Sequence, residues 1–278
     1  MPSYETSGPL TAVLEFVVAH VRITAGKRTD AVVDVLPSNP ADDNDVRAAQ
    51  QTTVTYADGT LTVKGPKKRG LFGRQGSIDL IVGLPAGSDL RGTSAMGEYT
   101  AEGPLGECRV KNSFGNIRIE EATVVDLRTG HGDIRVDRAV GAAEIHGAGR
   151  VDIGEIDGAV TVRNGNGETV IGEVTGPLKA NSSNGRITVG VAHSSVEAKS
   201  ANGPIGVKQV ARGVVDLQTS VGDVEIGIPR STAAWLDVHA KFGTLRNQLD
   251  AADNPGDAEE TVQIHARTSV GDIVIRRA

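Results

Sequence analysis

Aspartates recur beside glycines in the second half of the chain, and they are the first candidates for acid–base chemistry. Asp133, Asp223 and Asp272 directly follow a glycine, and Asp152 lies three residues after one. Enzymes that cleave glycosidic bonds use two carboxyl groups about 5 to 10 Å apart in a substrate groove. The four aspartates are instead spread along the chain at positions that suit turns and strands, so the sequence predicts no catalytic residues.

Aromatic side chains, which commonly form the platforms of sugar-binding grooves, are rare. The chain contains 4 Phe, 3 Tyr and 1 Trp. Two of them, Phe114 and Phe242, directly precede a glycine and are predicted to pack at a corner. A carbohydrate-active enzyme is therefore the least favoured of the functional hypotheses, and we predict that the protein is not an enzyme.

The histidines and the single cysteine do not form a recognisable metal or redox site. The 6 His are dispersed; His239 and His265 are predicted to stack one repeat apart, but no third ligand accompanies them, and a zinc site needs at least three protein ligands. Phosphate-binding loops and nucleophile elbows are also missing from the sequence. We predict no metal and no cofactor. Cys108 is expected to be a buried, inert thiol.

A basic segment interrupts the N-terminal part of the chain between two predicted strands. It combines five basic residues with an adjacent Leu-Phe pair. It is either a solvated hairpin loop or a site for an acidic partner or a membrane surface; the apolar pair is too short to anchor the protein alone. The candidate partner-facing residues are Lys64, Lys67, Lys68, Arg69, Leu71, Phe72 and Arg74.

A short phrase, glycine followed by alternating polar and apolar residues, is repeated along the rest of the chain. Gly132-Asp133-Ile134-Arg135-Val136 returns at Gly149, Gly167, Gly185 and Gly203, with gaps of 17, 18, 18 and 18 residues. Further copies begin at Gly97, Gly115, Gly222, Gly243 and Gly271, and the last two gaps lengthen to 21 and 28 residues. A fixed period of this kind is typical of repeat architectures.

Each repeat also contains a second apolar pair, spaced by two, before its glycine. Examples are Val196/Ala198 and, in the last copy, Val262/Ile264. Alternation with period two places both members on one face of a strand. A third apolar position recurs between the strands, at Val140, Ile156, Val174, Val191 and Val210.

These patterns predict an all-β fold, a parallel β-solenoid of about ten coils. One coil of about 18 residues cannot bury its own apolar face, whereas stacked coils share a continuous core. We expect residues 1–90 to form a β-rich cap, with a hairpin turn at Asp58-Gly59 and a loop with one helical turn over 37–49. Residues 91–278 are expected to form the solenoid, with a loop insertion at 246–260. Trp235 and this insertion are expected to close the other end.

Outward positions of the coils should stack into columns of charge. One column is mostly basic and contains Lys111, Arg128, His146, Arg163 and Lys199. The column two residues earlier is mostly acidic, with Asp126, Glu144 and Glu197 among its members. Adjacent columns of opposite charge relieve repulsion between like charges on neighbouring strands. A stripe that binds a repeating polyanion is the functional alternative, against which the acidic column argues. Between the columns and the glycines, Asn166, Asn184 and Asn202 are predicted to form a hydrogen-bonded ladder.

The net charge restricts the kinds of partner, and the absence of a recognisable targeting or membrane-spanning segment indicates the compartment. A net charge of −6 argues against a general nucleic-acid binder. No secretory signal precedes the first strands, and the apolar stretch 10–23 is interrupted by Glu15, His20 and Arg22. We therefore predict a cytoplasmic protein without a membrane-spanning segment.

The repeated phrase resembles that of the bacterial putative-adhesin family of β-strand repeat proteins, a domain of unknown function numbered 4097. It is carried, with variations, by Thr129–Val136, Asn164–Ile171, Ser182–Val189, Ser200–Val207, Thr219–Ile226 and Thr268–Ile275. The resemblance extends to Val82–Gly87, where the family enters its repeats. It implies a β-helical repeat fold and no known catalytic residues.

Three functional hypotheses follow. The first is a non-enzymatic binding or scaffold protein, which binds a protein partner or associates with itself through the solenoid ends. The second is an adhesin-like or envelope-associated binding protein, with weak membrane contact. The third is the carbohydrate-active enzyme. Unpaired strands at the ends of a solenoid would recruit further strands, which favours the first hypothesis.

Overall fold

A computed structural model describes residues 3–66, 75–250 and 258–278. The chain divides into two compact units, Met1–Val140 and Gly141–Ala278. Within the described residues, no helix is long and apolar enough to cross a membrane.

The first unit contains nine strands and one helix within its described residues. They are β1 Ser3–Glu5, β2 Thr11–Gly26, β3 Asp30–Pro37, α1 Asp43–Gln51, β4 Thr53–Ala57, β5 Thr60–Lys64, β6 Ile78–Pro85, β7 Asp89–Phe114, β8 Ile117–His131 and β9 Ile134–Ala139. Three parallel pairings, β2 with β7, β7 with β8 and β8 with β9, form a stack of coils. The long strand β2 therefore belongs to this stack although it carries no corner glycine of the repeat type.

The other side of β2 is also occupied. β5 pairs in parallel with its first half and β6 with its second half. β4 then pairs antiparallel with β5, β3 with β6, and β1 with β3. The sheet of the first unit thus turns from parallel coils into short antiparallel strands.

Two local features of the first unit test the sequence predictions directly. The hairpin turn is confirmed, since Asp58 and Gly59 both have positive φ, 49° and 70°. The prediction of a loop with one helical turn over 37–49 is confirmed only in part: residues 38–42 form a loop, but the helix α1 is longer than one turn, with nine residues. Its start is stabilised by Asp42, whose carboxylate accepts the backbone N–H of Asn44 at 2.8 Å.

The second unit contains fourteen strands within its described residues. They are β10 Ala143–Gly147, β11 Val151–Ile156, β12 Val160–Asn166, β13 Thr169–Val174, β14 Leu178–Asn184, β15 Ile187–Ala192, β16 Val196–Asn202, β17 Ile205–Val210, β18 Gly213–Val221, β19 Val224–Ile228, β20 Thr232–Phe242, β21 Leu245–Asn247, β22 Glu260–Val270 and β23 Ile273–Arg277. They form two parallel ladders, and each coil contributes one strand to each ladder.

The first ladder runs β10–β12–β14–β16–β18–β22–β20, and the second runs β11–β13–β15–β17–β19–β23–β21. The order at the end differs from the order in the sequence. β22 and β23 lie between the β18–β19 coil and the β20–β21 coil. The coil of β20 and β21 is therefore the last one of this unit.

The core of each unit is made by the predicted columns of inward side chains. In the first ladder Ile145, Val162, Ala180 and Ala198 are register partners and all are buried. Continuous stacking of this kind removes from water the apolar face that one coil could not bury alone. The all-β parallel solenoid predicted from the repeat is confirmed in both units.

The corner glycines are required by the spacing of the coils. Gly185 has φ +135°, and a Cβ on it would lie 2.0 Å from the carbonyl oxygen of Gly167 in the neighbouring coil. Nearby, Asn184 donates to Asn166 and Asn202 donates to Asn184, both at 3.0 Å. The predicted asparagine ladder is thereby confirmed.

The third inward position is confirmed only in part. Ile156, Val174 and Val210 are buried, but Val140 is exposed and the adjacent Ala139 is buried instead. Val191 is likewise replaced by Ala192, the register partner of Val174. Predicted boundaries at residue 90 and for the insertion at 246–260 stay predictions; residues 251–257 lie outside the described residues.

Cys108 is buried in the first unit, and burial raises the pKa of its thiol to about 12. Because the thiolate is the reactive species, we expect a thiol reagent at pH 8 to modify the native protein at least about a hundredfold more slowly than the unfolded chain, whose thiol has a pKa of about 8.5. Timed mass spectrometry of both forms measures this. Equal rates would show that Cys108 is accessible.

Candidate interaction edge

The strand β20 forms the edge of the first ladder. It pairs along its length with β22, from Thr232 opposite Glu260 to Phe242 opposite Val270. Among the described strands it has no partner on its other side. β21 occupies the same position in the second ladder, paired with β23 alone. We call the open side of these two strands the terminal edge.

Burial falls sharply between the last two coils of the first ladder. In β22 the inward residues Ile264 and Ala266 are fully buried. Their register partners in β20, Leu236 and Val238, are only half-buried. Since the side-chain types are similar, the difference arises from the missing neighbour. Among the residues that the structure describes, nothing covers the core at this end of the unit.

The backbone groups that face the open side can be identified from the hydrogen-bond pattern of the coils. In earlier coils the inward residue at the start of a strand donates its N–H to the following coil, as Val160 does to Pro177 and Leu178 to Ser195, both at 2.9 Å. Alternate residues of a strand point their N–H and C=O groups to the same side. Leu236 and Val238 occupy the equivalent positions, so their backbone groups face the terminal edge.

Large apolar side chains are also exposed at this coil. Trp235 is 74% exposed, Phe242 65% and Leu245 47%. Lys241 lies over the ring of Phe242, with its Nζ 5.4 Å from the ring centroid. The prediction that Trp235 closes the end was wrong, because its side chain points outward from β20.

Charged residues line the outward face of β20 beside the tryptophan. The carboxylate of Asp237 lies 3.3 Å from Nδ1 of His265 and 3.4 Å from a guanidinium nitrogen of Arg267. The hydrogen bond with His265 and the nearby charge of Arg267 hold the pKa of Asp237 below its usual value. The predicted stacking of His239 on His265 was wrong: His239 lies opposite Arg267, and His265 opposite Asp237.

The residues of the sequence-predicted basic column lie at matching register positions inside each unit. Lys111 is the partner of Arg128 in the first unit. In the second, His146 is the partner of Arg163, and Asn181 separates Arg163 from Lys199. Each unit therefore contains its own part of the predicted column, and a ligand-binding role for these residues stays a prediction.

Acidic neighbours accompany several members of that row. Arg128 lies 3.1 Å from Asp126, and His146 lies 2.8 Å from Glu144. Lys199 and Lys179 both contact Glu197, at 2.7 and 3.0 Å, and together they lower the pKa of its carboxyl group. Exposed pairs of this kind are each worth about 0 to 1 kcal/mol. Their main effect is to separate like charges along the ladder.

The predicted partner-facing loop is described only at its start. Lys64 ends β5, and its Nζ lies 3.4 Å from a carboxylate oxygen of Glu15 on β2. Lys67, Lys68, Arg69, Leu71, Phe72 and Arg74 lie outside the described residues. The binding role of this segment stays a prediction.

Two of the aspartates first considered for acid–base chemistry, Asp223 and Asp272, have structural roles at the corners. Asp223 accepts the backbone N–H of Asp272, and Asp272 accepts that of Thr244, both at 2.8 Å. Across the described ranges, no group of three His, Cys, Asp or Glu side chains is arranged to hold a metal ion.

Comparison with known proteins places this geometry in a family. The family model described as Toastrack DUF4097 matches residues 13–276. The chain belongs to the Toastrack DUF4097 family. The resemblance inferred from the repeated phrase is thereby confirmed. No curated protein matches the sequence.

Solved structures with a similar course of the chain include proteins of Parabacteroides and Bacteroides. A putative adhesin from Parabacteroides distasonis ATCC 8503 is 10% identical, with a TM-score of 0.42 over 98% of this chain and 94% of its own. A putative adhesin from Bacteroides fragilis NCTC 9343 is 13% identical, with a TM-score of 0.38 over 99% and 95%. A putative lipid binding protein from Parabacteroides distasonis ATCC 8503 is 11% identical, with a TM-score of 0.40 over 98% and 95%.

Sequence reasoning predicted open solenoid ends but not that β20 and β21 form one of them, because it placed the copy at Gly271 after the copy at Gly243. One signal was available. The gap of 28 residues between these glycines is far longer than a coil, and a long connection allows the following coil to be placed elsewhere in the stack.

Proposed function

We propose that this Toastrack DUF4097 protein is a non-enzymatic binding or scaffold protein that takes up a further β-strand on its terminal edge. The observation that carries the proposal is the open side of β20, an eleven-residue strand whose half-buried inward residues and backbone groups face no described strand. Addition of a strand to such an edge is a recurring mode of peptide recognition.

The chemistry of the edge supports strand addition over other forms of binding. A new strand would hydrogen-bond to the backbone groups of Leu236 and Val238 and would cover their half-buried side chains. Main-chain hydrogen bonds supply affinity in this mode, and the flanking side chains supply selectivity. Here Trp235, Asp237 and Lys241 would contact the outward side chains of the partner strand and determine which partners bind.

We make two secondary proposals, one for each of the two basic regions identified in the sequence. We propose that the segment around Lys64 to Arg74 contacts an acidic protein partner, supported by its five basic residues. The row of Lys111, Arg128, His146, Arg163 and Lys199 is proposed to keep the solenoid soluble and to exclude unsuitable partners, supported by the acidic groups beside it.

We propose the cytoplasm as the compartment, supported by the free thiol of Cys108. The adhesin-like or envelope-associated role is the alternative. Fractionation of native cells separates them: recovery in the cytosolic fraction supports the first, and recovery in the envelope or medium supports the second.

The strand-addition proposal predicts the effect of a proline on the terminal edge. Proline lacks an N–H and is tolerated where that N–H does not bond within the sheet. Val238→Pro removes a donor that faces the open side but keeps the bonds between β20 and β22. We expect proteins captured from host lysate by the wild type, whether other copies of the chain or different proteins, to be lost with this variant.

Val238→Ala is the matched control, because it shortens the same side chain but keeps the N–H, and it should retain those partners. Both variants should melt near the wild-type temperature. If Val238→Pro does not fold, Ala240→Pro makes the same test two residues along. Capture of the same proteins by the proline and alanine variants would refute the proposal.

A further inference from the structure

The outward side chains of β20 are complementary to the same side chains read in the opposite direction along the strand. Reading along the strand, Trp235, Asp237, His239 and Lys241 alternate with inward residues. We infer that the strand added to the terminal edge is β20 of a second copy, paired antiparallel about a two-fold axis at Val238. This inference rests on the proposed function and names its partner.

A second copy can offer β20 more readily than any other of its described edges. In the first unit, β2 is covered on its outer side by β5 and β6. The short strands beyond them, β4 and β1, have five and three residues. A head-to-tail stack therefore lacks a parallel edge of matching length. Two identical edges related by a two-fold axis pair antiparallel, and such closed interfaces are the commonest in homo-oligomers.

The backbone restricts the possible registers. The groups that face the terminal edge belong to the even-numbered residues from Ala234 to Ala240, by the alternation described above. Even residues must therefore lie opposite even residues, which places the two-fold axis on a residue and not between two. Axes on Leu236, Asp237, Val238 and His239 keep most of the strand paired. An axis on Leu236 would set the Trp235 ring opposite the Asp237 carboxylate of the second copy, although the face of an aromatic ring repels negative charge, and would leave Lys241 beyond the paired segment, so three registers remain.

Charge selects among these three registers. An axis on Asp237 would place two aspartates directly opposite each other, and like charges across strands are destabilising. An axis on His239 would set two histidines opposite each other and leave Trp235 beyond the paired segment. An axis on Val238 places Asp237 opposite His239 of the second copy, and Trp235 opposite Lys241 of the second copy, each pair occurring twice.

The register with its axis on Val238 gives favourable contacts on both the outward and the inward face of the paired strands. The outward pairs occupy the non-hydrogen-bonded positions, where Cα atoms are about 4.5 Å apart and side chains are close. A carboxylate facing an imidazole and an ammonium facing an indole ring are both favourable pairs. On the inward side Val238 meets Val238 of the second copy, and Leu236 meets Ala240. The half-buried inward residues of both copies would then be covered.

The register predicts which cysteine substitutions cross-link. Asp237→Cys and His239→Cys are exposed outward changes, and the native Cys108 is buried. Under mild oxidation, a mixture of the two variants with tags of different mass should give a disulfide-linked heterodimer, because residues 237 and 239 lie opposite each other. Neither variant alone should cross-link. The wild type should have a solution mass of twice 28.9 kDa, and Val238→Pro should be a monomer.

Every outcome of this experiment decides between stated alternatives. Cross-linking of Asp237→Cys alone or of His239→Cys alone would place the axis on that residue and overturn the Val238 register. A wild-type mass of 28.9 kDa at all concentrations would overturn the second copy as partner. If the wild type is monomeric but captures a different protein that Val238→Pro does not capture, the proposed function stands and only the inference of a second copy fails. If no such protein is captured, the proposed function and the inference both fail.

Discussion

Replacement of Ile187 by aspartate is expected to unfold the second unit. Ile187 is fully buried at the start of β15, between Thr169 and Ile205 of the neighbouring coils. An aspartate there would place an unpaired carboxylate in the core or force it to be neutral. Loss of one partner from a buried charge pair costs about 3 to 5 kcal/mol, and a charge that never had a partner should cost at least as much. Most single domains have only about 5 to 15 kcal/mol of stability.

The adjacent Arg186 provides the matched control. Its side chain is exposed, and only its carbonyl oxygen takes part in the ladder, accepting the N–H of Thr169 at 2.8 Å. Arg186→Asp introduces the same charge one residue away and should change the melting temperature by a few degrees at most. Circular dichroism melts of both variants measure the difference. Equal melts would contradict the inward and outward assignment of β15.

Alanine at Gly185 should destabilise the protein almost as strongly, for a different reason. At φ +135° a side chain is strained, and the new Cβ would lie 2.0 Å from the carbonyl oxygen of Gly167 and 2.7 Å from its carbon. Because both obstacles are backbone atoms, the two coils would have to separate. Strain at such positions costs about 1 to 3 kcal/mol, and the clash adds to this. We expect a total loss of about 3 kcal/mol or more.

Gly206, in β17, is the control for this substitution. A Cβ built on it meets nothing within 4 Å, and the residue lies in the strand opposite Thr188. Gly206→Ala should be neutral or stabilise the protein by up to about 1 kcal/mol, because alanine has less conformational freedom to lose on folding. Denaturant titrations of the two variants test the contrast. A Gly185→Ala protein as stable as Gly206→Ala would show that the coils are not held at this spacing by the glycine.

The sequence predicted the repeat and the register where each copy carries the same signals. From β12 to β17 an apolar pair, an asparagine or serine, and a glycine recur every 18 residues, and these are the residues that the ladders stack. The inner bend was predicted less well. Val140 and Val191 are apolar yet lie beside Ala139 and Ala192, which take the inward place. Hydropathy cannot distinguish adjacent apolar residues when the chain turns and alternation is interrupted.

The terminal edge could not be predicted because the order of coils is a tertiary property. The copies around Gly243 and Gly271 have similar local patterns, so either could follow β18. The structure selects β22, whose Ile264 and Ala266 become fully buried. β20 instead carries Trp235 outward and has only half-buried inward residues. A different error misplaced His265. The last copy was aligned on Val262 and Ile264, whereas Ile264 and Ala266 are the partners of Val215 and Leu217, so His265 faces Asp237 on one side and Asp216 on the other.

Because β22 lies between β18 and β20, the folding of the second unit depends on the order in which these strands become available. During synthesis β20 emerges before β22, when the place beside β18 is vacant. Leu236 and Val238 match the spacing of Val215 and Leu217, so β20 could occupy that place early and would have to leave it later. Parallel pairings between distant segments already form slowly. Refolding of the second unit should therefore include a slow exchange of one strand for another, which ends only when β22 has displaced its competitor.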